Sequence, residues 1–422
     1  MHKPHIVYAP QCHCVRHLFI SYMHRRRFVY SLFASSALAA APLTTQAQST
    51  LNEPRTQPKK RKKLLPALFP AALSKGSTVG IVAPASGVIP DEIKGGVKSL
   101  ESLGCTVVLG KSIYRGSAGY LAASDEVRAA EFMEFVRRKD IDAIVCARGG
   151  YGTMRMLHLI DFDEICRNPK IIMGYSDITV LLNAIFQRCN LVTFHGPVAA
   201  GEFDEFTRDS VVKTLFTKNY LADISLPIDT PTTPVDSAQT AKSTTKQTKF
   251  SKDKPGRQEK PRTATIASDD AITYSDSLLF TIGKGGVAQG QLVGGNLTML
   301  CSTLGTPFEV DTRGKILFLE DVNEEPYRID RMLTHLWLAG KLQVAAGIVL
   351  GKFHRSEPSG ELLPSYNLEE VFRSRFEPLQ IPVVGNFQFG HIRAKLTLPV
   401  GAVAELDADT KTLSILEKPV VG

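Results

Sequence analysis

Residues 170–185 read Lys-Ile-Ile-Met-Gly-Tyr-Ser-Asp-Ile-Thr-Val-Leu-Leu-Asn-Ala-Ile. Lys170 to Met173 has the apolar character of a short buried strand, and Ile178 to Ile185 that of a helix. Between them Gly174-Tyr175-Ser176-Asp177 makes a strand-to-helix corner. A serine there is held on a sharp turn with its hydroxyl exposed, and the N–H groups of the first helical turn point towards it. Such donors suit a developing oxyanion. The letters GYSD are not GxSxG, however, and a Ser or Asp at such a corner also serves as an ordinary N-cap.

Reading backwards from the corner, the same alternation recurs. Ser77 to Val82 is strand-like and ends in the turn Ala83-Pro84-Ala85-Ser86-Gly87, followed by a helix over Ile93 to Leu103 and a strand over Cys105 to Leu109. Val127, Ala130, Phe132, Phe135 and Val136 give residues 125–139 helical spacing, and Ile141 to Ala147 is a buried-type strand. It runs into Arg148-Gly149-Gly150-Tyr151-Gly152. Strand alternating with helix at these intervals predicts an α/β fold with a mostly parallel sheet covered on both faces. Ligands of such sheets gather at the carboxyl ends of the strands, where the glycine loop and Ser176 both fall. Paired glycines let backbone N–H groups approach a substrate closely. A phosphate-cradling use is disfavoured, because neither GxGxxG nor a following Lys-Ser/Thr is present.

Forwards, residues 229–268 are rich in Thr, Ser, Lys, Pro and Gln and read as a disordered linker. Order resumes near Leu278. Residues 290–295, 315–318 and 345–350 are strand-like, Tyr327 to Trp337 and Leu368 to Phe376 helix-like, and 395–416 alternates in short strands. The expected organisation is an upstream segment and signal over 1–48, a basic linker over 49–74, a nucleophile domain over 75–228, the linker 229–268, and a second α/β domain, richer in β, over 269–422.

Arg25-Arg26-Arg27-Phe28-Val29, then a mild apolar run ending in Ala39-Ala40-Ala41, has the parts of an export signal and resembles the twin-arginine type. Met23 stands immediately before it, so either Met1 or Met23 can be the start. The expected location is the periplasm; the alternative is a cytoplasmic protein with a basic leader. The net charge of +8 is concentrated outside the ordered parts: residues 1–68 hold eleven Lys/Arg against one Glu, and 237–263 eight against two. The remainder is acidic, which argues against a nucleic-acid protein, whose basic footprint should lie on a structured face. The basic runs read as solvated linkers that could touch anionic wall polymers. Of seven cysteines, Cys12 and Cys14 precede the signal; the other five, with no CxxC pair, suggest neither a disulfide framework nor a metal cluster. No cofactor or metal is expected.

A serine nucleophile needs a base, itself oriented by an acid. Five histidines lie beyond the signal. His158, His335 and His354 sit on helices or in polar loops, whereas His195, in Thr193-Phe194-His195-Gly196-Pro197, and His391, after Phe389-Gly390, could each line a cleft. Glu320 and Asp321, at the end of the run Ile316-Leu317-Phe318-Leu319, are both candidate acids. On these grounds the base stays open between His195 and His391.

From Gly76 to Leu416 the chain resembles the LD-carboxypeptidase family, the S66 serine peptidases. The resemblance lies in an ordered set of blocks: GSTVGIVAPAS, GYLAASDEVRAAEF at 119–132, ARGGYG at 147–152, IMGYSDIT at 172–179, TFHGPV at 193–198, GGNLTML at 294–300, FLEDVNEEPYRIDRMLTHL at 318–336 and FGHIRAKLTLPVG at 389–401. It implies a Rossmann-like N-terminal domain, a smaller β-rich C-terminal domain and often a homodimer. It also implies the nucleophile Ser176, the acid Glu320, the base His391 and an oxyanion hole from the N–H groups of Asp177 and Gly150. The implied reaction is cleavage of an L,D-peptide bond to a terminal D-amino acid, as in removing D-Ala from a murein tetrapeptide. Arg148 is a candidate clamp for the substrate carboxylate, with a structural salt bridge as its alternative use; Tyr151, Asn296 and Glu324 are further cleft candidates. An immunity branch of the family, acting on peptidyl- or aminoacyl-nucleotide antibiotics, and a silent wall-peptide-binding protein are the competing expectations.

Overall fold

The computed structural model describes residues 67–114, 119–217, 272–358 and 365–422. The signal expected over 1–48, most of the basic linker and the stretch 229–268 lie outside the described residues. The described elements in chain order are β1 (Thr78–Val82), α1 (Pro90–Ser102), β2 (Thr106–Leu109), α2 (Asp125–Arg137), β3 (Ala143–Cys146), α3 (Thr153–Met156), α4 (Phe162–Arg167), β4 (Ile171–Gly174), α5 (Thr179–Cys189), β5 (Thr193–His195) and α6 (Glu205–Leu215). They continue with β6 (Ile272–Ser275), β7 (Phe280–Thr281), β8 (Val287–Asn296), α7 (Leu297–Ser302), β9 (Ile316–Val322), α8 (Pro326–Leu338), β10 (Gly347–His354), α9 (Leu368–Phe376), β11 (Val383–Gly385), β12 (Leu398–Val400), β13 (Val403–Asp407) and β14 (Thr412–Ile415).

The first sheet has the order β12-β5-β4-β3-β1-β2. β1 to β5 are parallel, and their short apolar runs, such as the wholly buried Ala-Ile-Val-Cys of β3, are those of strands covered on both faces. The chain steps outward from β1 to β2 and then returns to the other side of β1 to lay down β3. The carboxyl ends of β1 and β3 therefore flank a crevice of the kind in which α/β sheets bind ligands. β12 closes the other edge, antiparallel to β5, with Leu398 opposite His195.

The second sheet, β6-β14-β13-β8-β9-β10-β11-β7, is mixed. Its centre, β8-β9-β10-β11, is parallel, and antiparallel strands flank it. Side-chain amide chemistry joins the sheets. Asn183 of α5 donates to the Gly294 carbonyl at 2.8 Å and accepts from the Gly294 N–H at 3.2 Å, while Thr179 Oγ1 accepts from the Asn296 N–H at 3.1 Å. The helix that follows Ser176 is thus fastened to β8, the neighbour of β9.

The cysteine spacing gave no disulfide, but the structure contains one. Cys166, at the end of α4, is bonded to Cys189, the last residue of α5, with Cα atoms 5.1 Å apart. The two helices bracket β4, and the resulting turn-back brings together residues 23 positions apart, which no local motif records.

Candidate active site

Ser176 leaves the end of β4 with φ of 66°, in the left-handed region that a serine occupies only when its surroundings hold it there. A short 3-10 turn, Ser176–Ile178, leads into α5. The strand-to-helix corner is therefore present, and its backbone is strained at the serine.

The residues that meet the hydroxyl come from the other end of the chain. Ser176 Oγ is 2.9 Å from His391 Nε2, and His391 Nδ1 is 2.7 Å from Glu320 Oε2. Glu320 is fully buried near the end of β9. The residue before His391 must be glycine twice over: Gly390 has φ of 111°, and a Cβ there would lie 2.8 Å from Glu320 Oε2. The open choices of acid and base resolve in space. Asp321 points away from the histidine and accepts from the Asn296 side chain at 3.0 Å and from both the N–H and hydroxyl of Thr298 at 2.9 Å.

His195 stands behind the triad. It is buried, with neither ring nitrogen hydrogen-bonded, in a nest formed by Tyr175, Phe318 and Phe389. Burial drives its imidazole down to about 3, and the neighbouring charges of His391 and Lys395 push in the same direction. The Tyr175 ring packs edge-on against both histidines, with centroids 6.1 Å from His195 and 4.9 Å from His391. On Tyr175 rests the Lys395 ammonium, 4.2 Å from the ring centroid. Burial pulls that ammonium down to about 8, with Glu320 and Asp204 opposing the shift.

The glycine loop lies against the serine. A Cβ on Gly149 would sit 2.7 Å from Ser176 Cβ and 3.2 Å from the Asp177 nitrogen, so only glycine lets the loop come this close. Gly150, at φ of 104°, faces Ser86, whose hydroxyl accepts the Tyr151 N–H at 3.3 Å. Arg128, fully buried on α2, donates to the Gly152 carbonyl at 2.9 Å and also to the Pro84 carbonyl. The loop after β3 and the turn after β4 are thereby brought together at one hydroxyl, an arrangement that can support acyl transfer.

The remaining expected site residues have the following partners. Arg148 faces Glu92 with N–O distances of 3.4 Å, in the salt bridge that was its alternative use. Tyr151 is exposed and stacks edge-on with Tyr120. Glu324 faces Arg328 at 3.7 Å. Asn296, expected in the cleft, is instead buried: its oxygen caps α7 by accepting the Met299 N–H, and its nitrogen is bound to Asp321. An asparagine next to a strand end and ahead of an apolar run is an N-cap by type. Tyr175, Lys395, Arg128 and Ser86 were missed. Lys395 and Tyr175 lie inside the quoted blocks, four positions after His391 and one before Ser176, but nothing in spacing alone joins them.

The LD-carboxypeptidase N-terminal domain model matches residues 79–196, and the LD-carboxypeptidase C-terminal domain model matches residues 289–406. A probable murein peptide carboxypeptidase of Bacillus subtilis is 39% identical over 347 residues, covering 82% of this chain and 93% of the relative. The microcin C7 self-immunity protein MccF of Escherichia coli is 31% identical over 361 residues, covering 83% and 96%. The crystal structure of muramoyltetrapeptide carboxypeptidase from Oxalobacter formigenes superposes with a TM-score of 0.59 at 26% identity, over 80% of this chain and 97% of that one.

Proposed function

Since this chain belongs to the LD-carboxypeptidase family and is a peptidase, we propose that it hydrolyses the L,D-peptide bond to the terminal D-Ala of a murein tetrapeptide through an acyl-enzyme on Ser176. The observation that carries the mechanism is the unbroken chain Ser176 Oγ to His391 Nε2 to Glu320, at 2.9 and 2.7 Å. His391 takes the hydroxyl proton as Oγ attacks the scissile carbonyl. Glu320 fixes the tautomer and steadies the imidazolium. The N–H groups of Asp177 and Gly150 hold the oxyanion. The tetrahedral carbon then expels the amine of D-Ala, which takes the proton from His391. Water, deprotonated by the same imidazole, releases the shortened peptide.

The substrate assignment draws on the names of the B. subtilis and O. formigenes relatives. Mass spectrometry of a murein tetrapeptide digest tests it: wild type should release D-Ala, and Ser176→Ala should bind the peptide without cleaving it. Release by Ser176→Ala would remove the nucleophile assignment. The likeness to MccF supports a second reading, hydrolysis of a peptidyl- or aminoacyl-nucleotide. Turnover of such a compound with the tetrapeptide left intact would favour it. Work in the periplasm is the location that the arginine-led N-terminus supports, and the Cys166–Cys189 bond suits an oxidising compartment. Recovery of the full-length chain from the cytosolic fraction alone would refute export.

A further inference from the structure

The acyl-transfer reading requires two N–H groups from different strand ends to converge on one oxygen. The Ser176 turn follows β4 and the glycine loop follows β3, so something must fix the distance between them. Asp177 has the means. Its side chain is 2% exposed, and Oδ2 accepts the N–H of Thr153 at 2.8 Å. Thr153 comes directly after Gly152, the last glycine of the loop, and is the first residue of α3. The other oxygen, Oδ1, is buried with no hydrogen-bond partner.

A carboxylate buried with one oxygen unpaired is costly. Capping is a weak reason to keep it, because α3 has four residues and adds little stability of its own. Arg128 and Ser86 tie the loop to α2 and to the turn after β1, away from the nucleophile. The Asp177 side chain ties it to the nucleophile turn itself. We propose that Asp177 is a positioning residue: by accepting the Thr153 N–H, its carboxylate fixes the glycine loop at the separation from the Ser176 turn at which both oxyanion donors reach one oxygen.

This rests on the acyl-transfer reading but not on the tetrapeptide. The test therefore uses a fluorophosphonate probe, which needs only an activated serine. Oγ attacks phosphorus, the P–F bond breaks, fluoride leaves and His391 takes the hydroxyl proton, while the phosphoryl oxygen occupies the oxyanion site. Asp177→Ala should label about 100-fold more slowly than wild type, the scale of losing one oxyanion donor. Asp177→Asn, which keeps an acceptor oxygen for the Thr153 N–H, should stay within about 10-fold. Substrate affinity in the Ser176→Ala background should be unchanged by adding Asp177→Ala. Labelling by a folded Asp177→Ala within about 3-fold of wild type overturns the proposal, as does equal slowing in the Asn variant. Wild type that labels yet leaves the tetrapeptide intact sinks the substrate reading alone; wild type that never labels sinks both.

Discussion

His391 Nδ1 lies 2.7 Å from Glu320 Oε2, and the other carboxylate oxygen, Oε1, is buried without a hydrogen-bond partner. The glutamate is thus committed to one imidazole nitrogen. Glu320→Gln keeps the shape but can present its amide N–H to Nδ1, which selects the wrong tautomer. It should lower kcat by about 10³ to 10⁴-fold with KM within a few-fold, measured on whichever acyl substrate is turned over. A variant with kcat near wild type would remove Glu320 from the relay.

The backbone at Ser176 is strained independently of its hydroxyl, since φ is 66°. Ser176→Gly relieves that strain and Ser176→Ala does not. Both should be inactive, and urea titration should place the glycine variant about 0.5 to 1 kcal/mol above the alanine variant. Equal midpoints would mean that the corner is relaxed.

Gly149 has no side chain because Ser176 Cβ occupies the space, 2.7 Å from where a Cβ would stand. Gly149→Ala should push the loop and the serine apart, lowering kcat by about 100-fold, comparable to loss of an oxyanion donor. Its expected cost in melting temperature is that of a local shift. Undiminished kcat would show that the loop does not need to be this close.

Burial holds the His195 imidazole at about 3 in the folded chain, against an ordinary 6.5. Between those values the unfolded chain binds a proton that the folded chain refuses, so this group's stabilising contribution is complete above 6.5 and is lost as pH falls towards 3. His195→Phe cannot titrate. Its unfolding free energy should therefore rise relative to wild type as pH drops from 7 to 4, with kcat held within about 10-fold at pH 7. A difference that stays flat with pH would place the imidazole in contact with water.

Much of this was legible in the sequence because parallel strands buried on both faces read as continuous apolar runs. β3, β4 and α9 fall close to where their letters put them. The corner at Ser176 was equally legible, as a short apolar run that gives way across a glycine to a helix. Spacing could not choose His391 over His195, since both follow strand-like runs beside a glycine. Burial separates them, and burial depends on Phe318 and Phe389, which arrive from β9 and from the loop after β11. The Asp177 to Thr153 bond and the Cys166–Cys189 bond were illegible for the same reason: each joins positions related only through the order of the strands.

The edge strand β12 fixes when the enzyme can exist. A ribosome releases the nucleophile corner first; His391 follows 215 residues later, and then Leu398–Val400, which completes the sheet beside β5. A nascent or prematurely terminated product that stops short of them carries Ser176 without the His391 imidazole and leaves an unpaired sheet edge. The proposed triad is therefore incomplete until the ribosome has passed β12, and a copy that stops before His391 lacks the base assigned to Ser176.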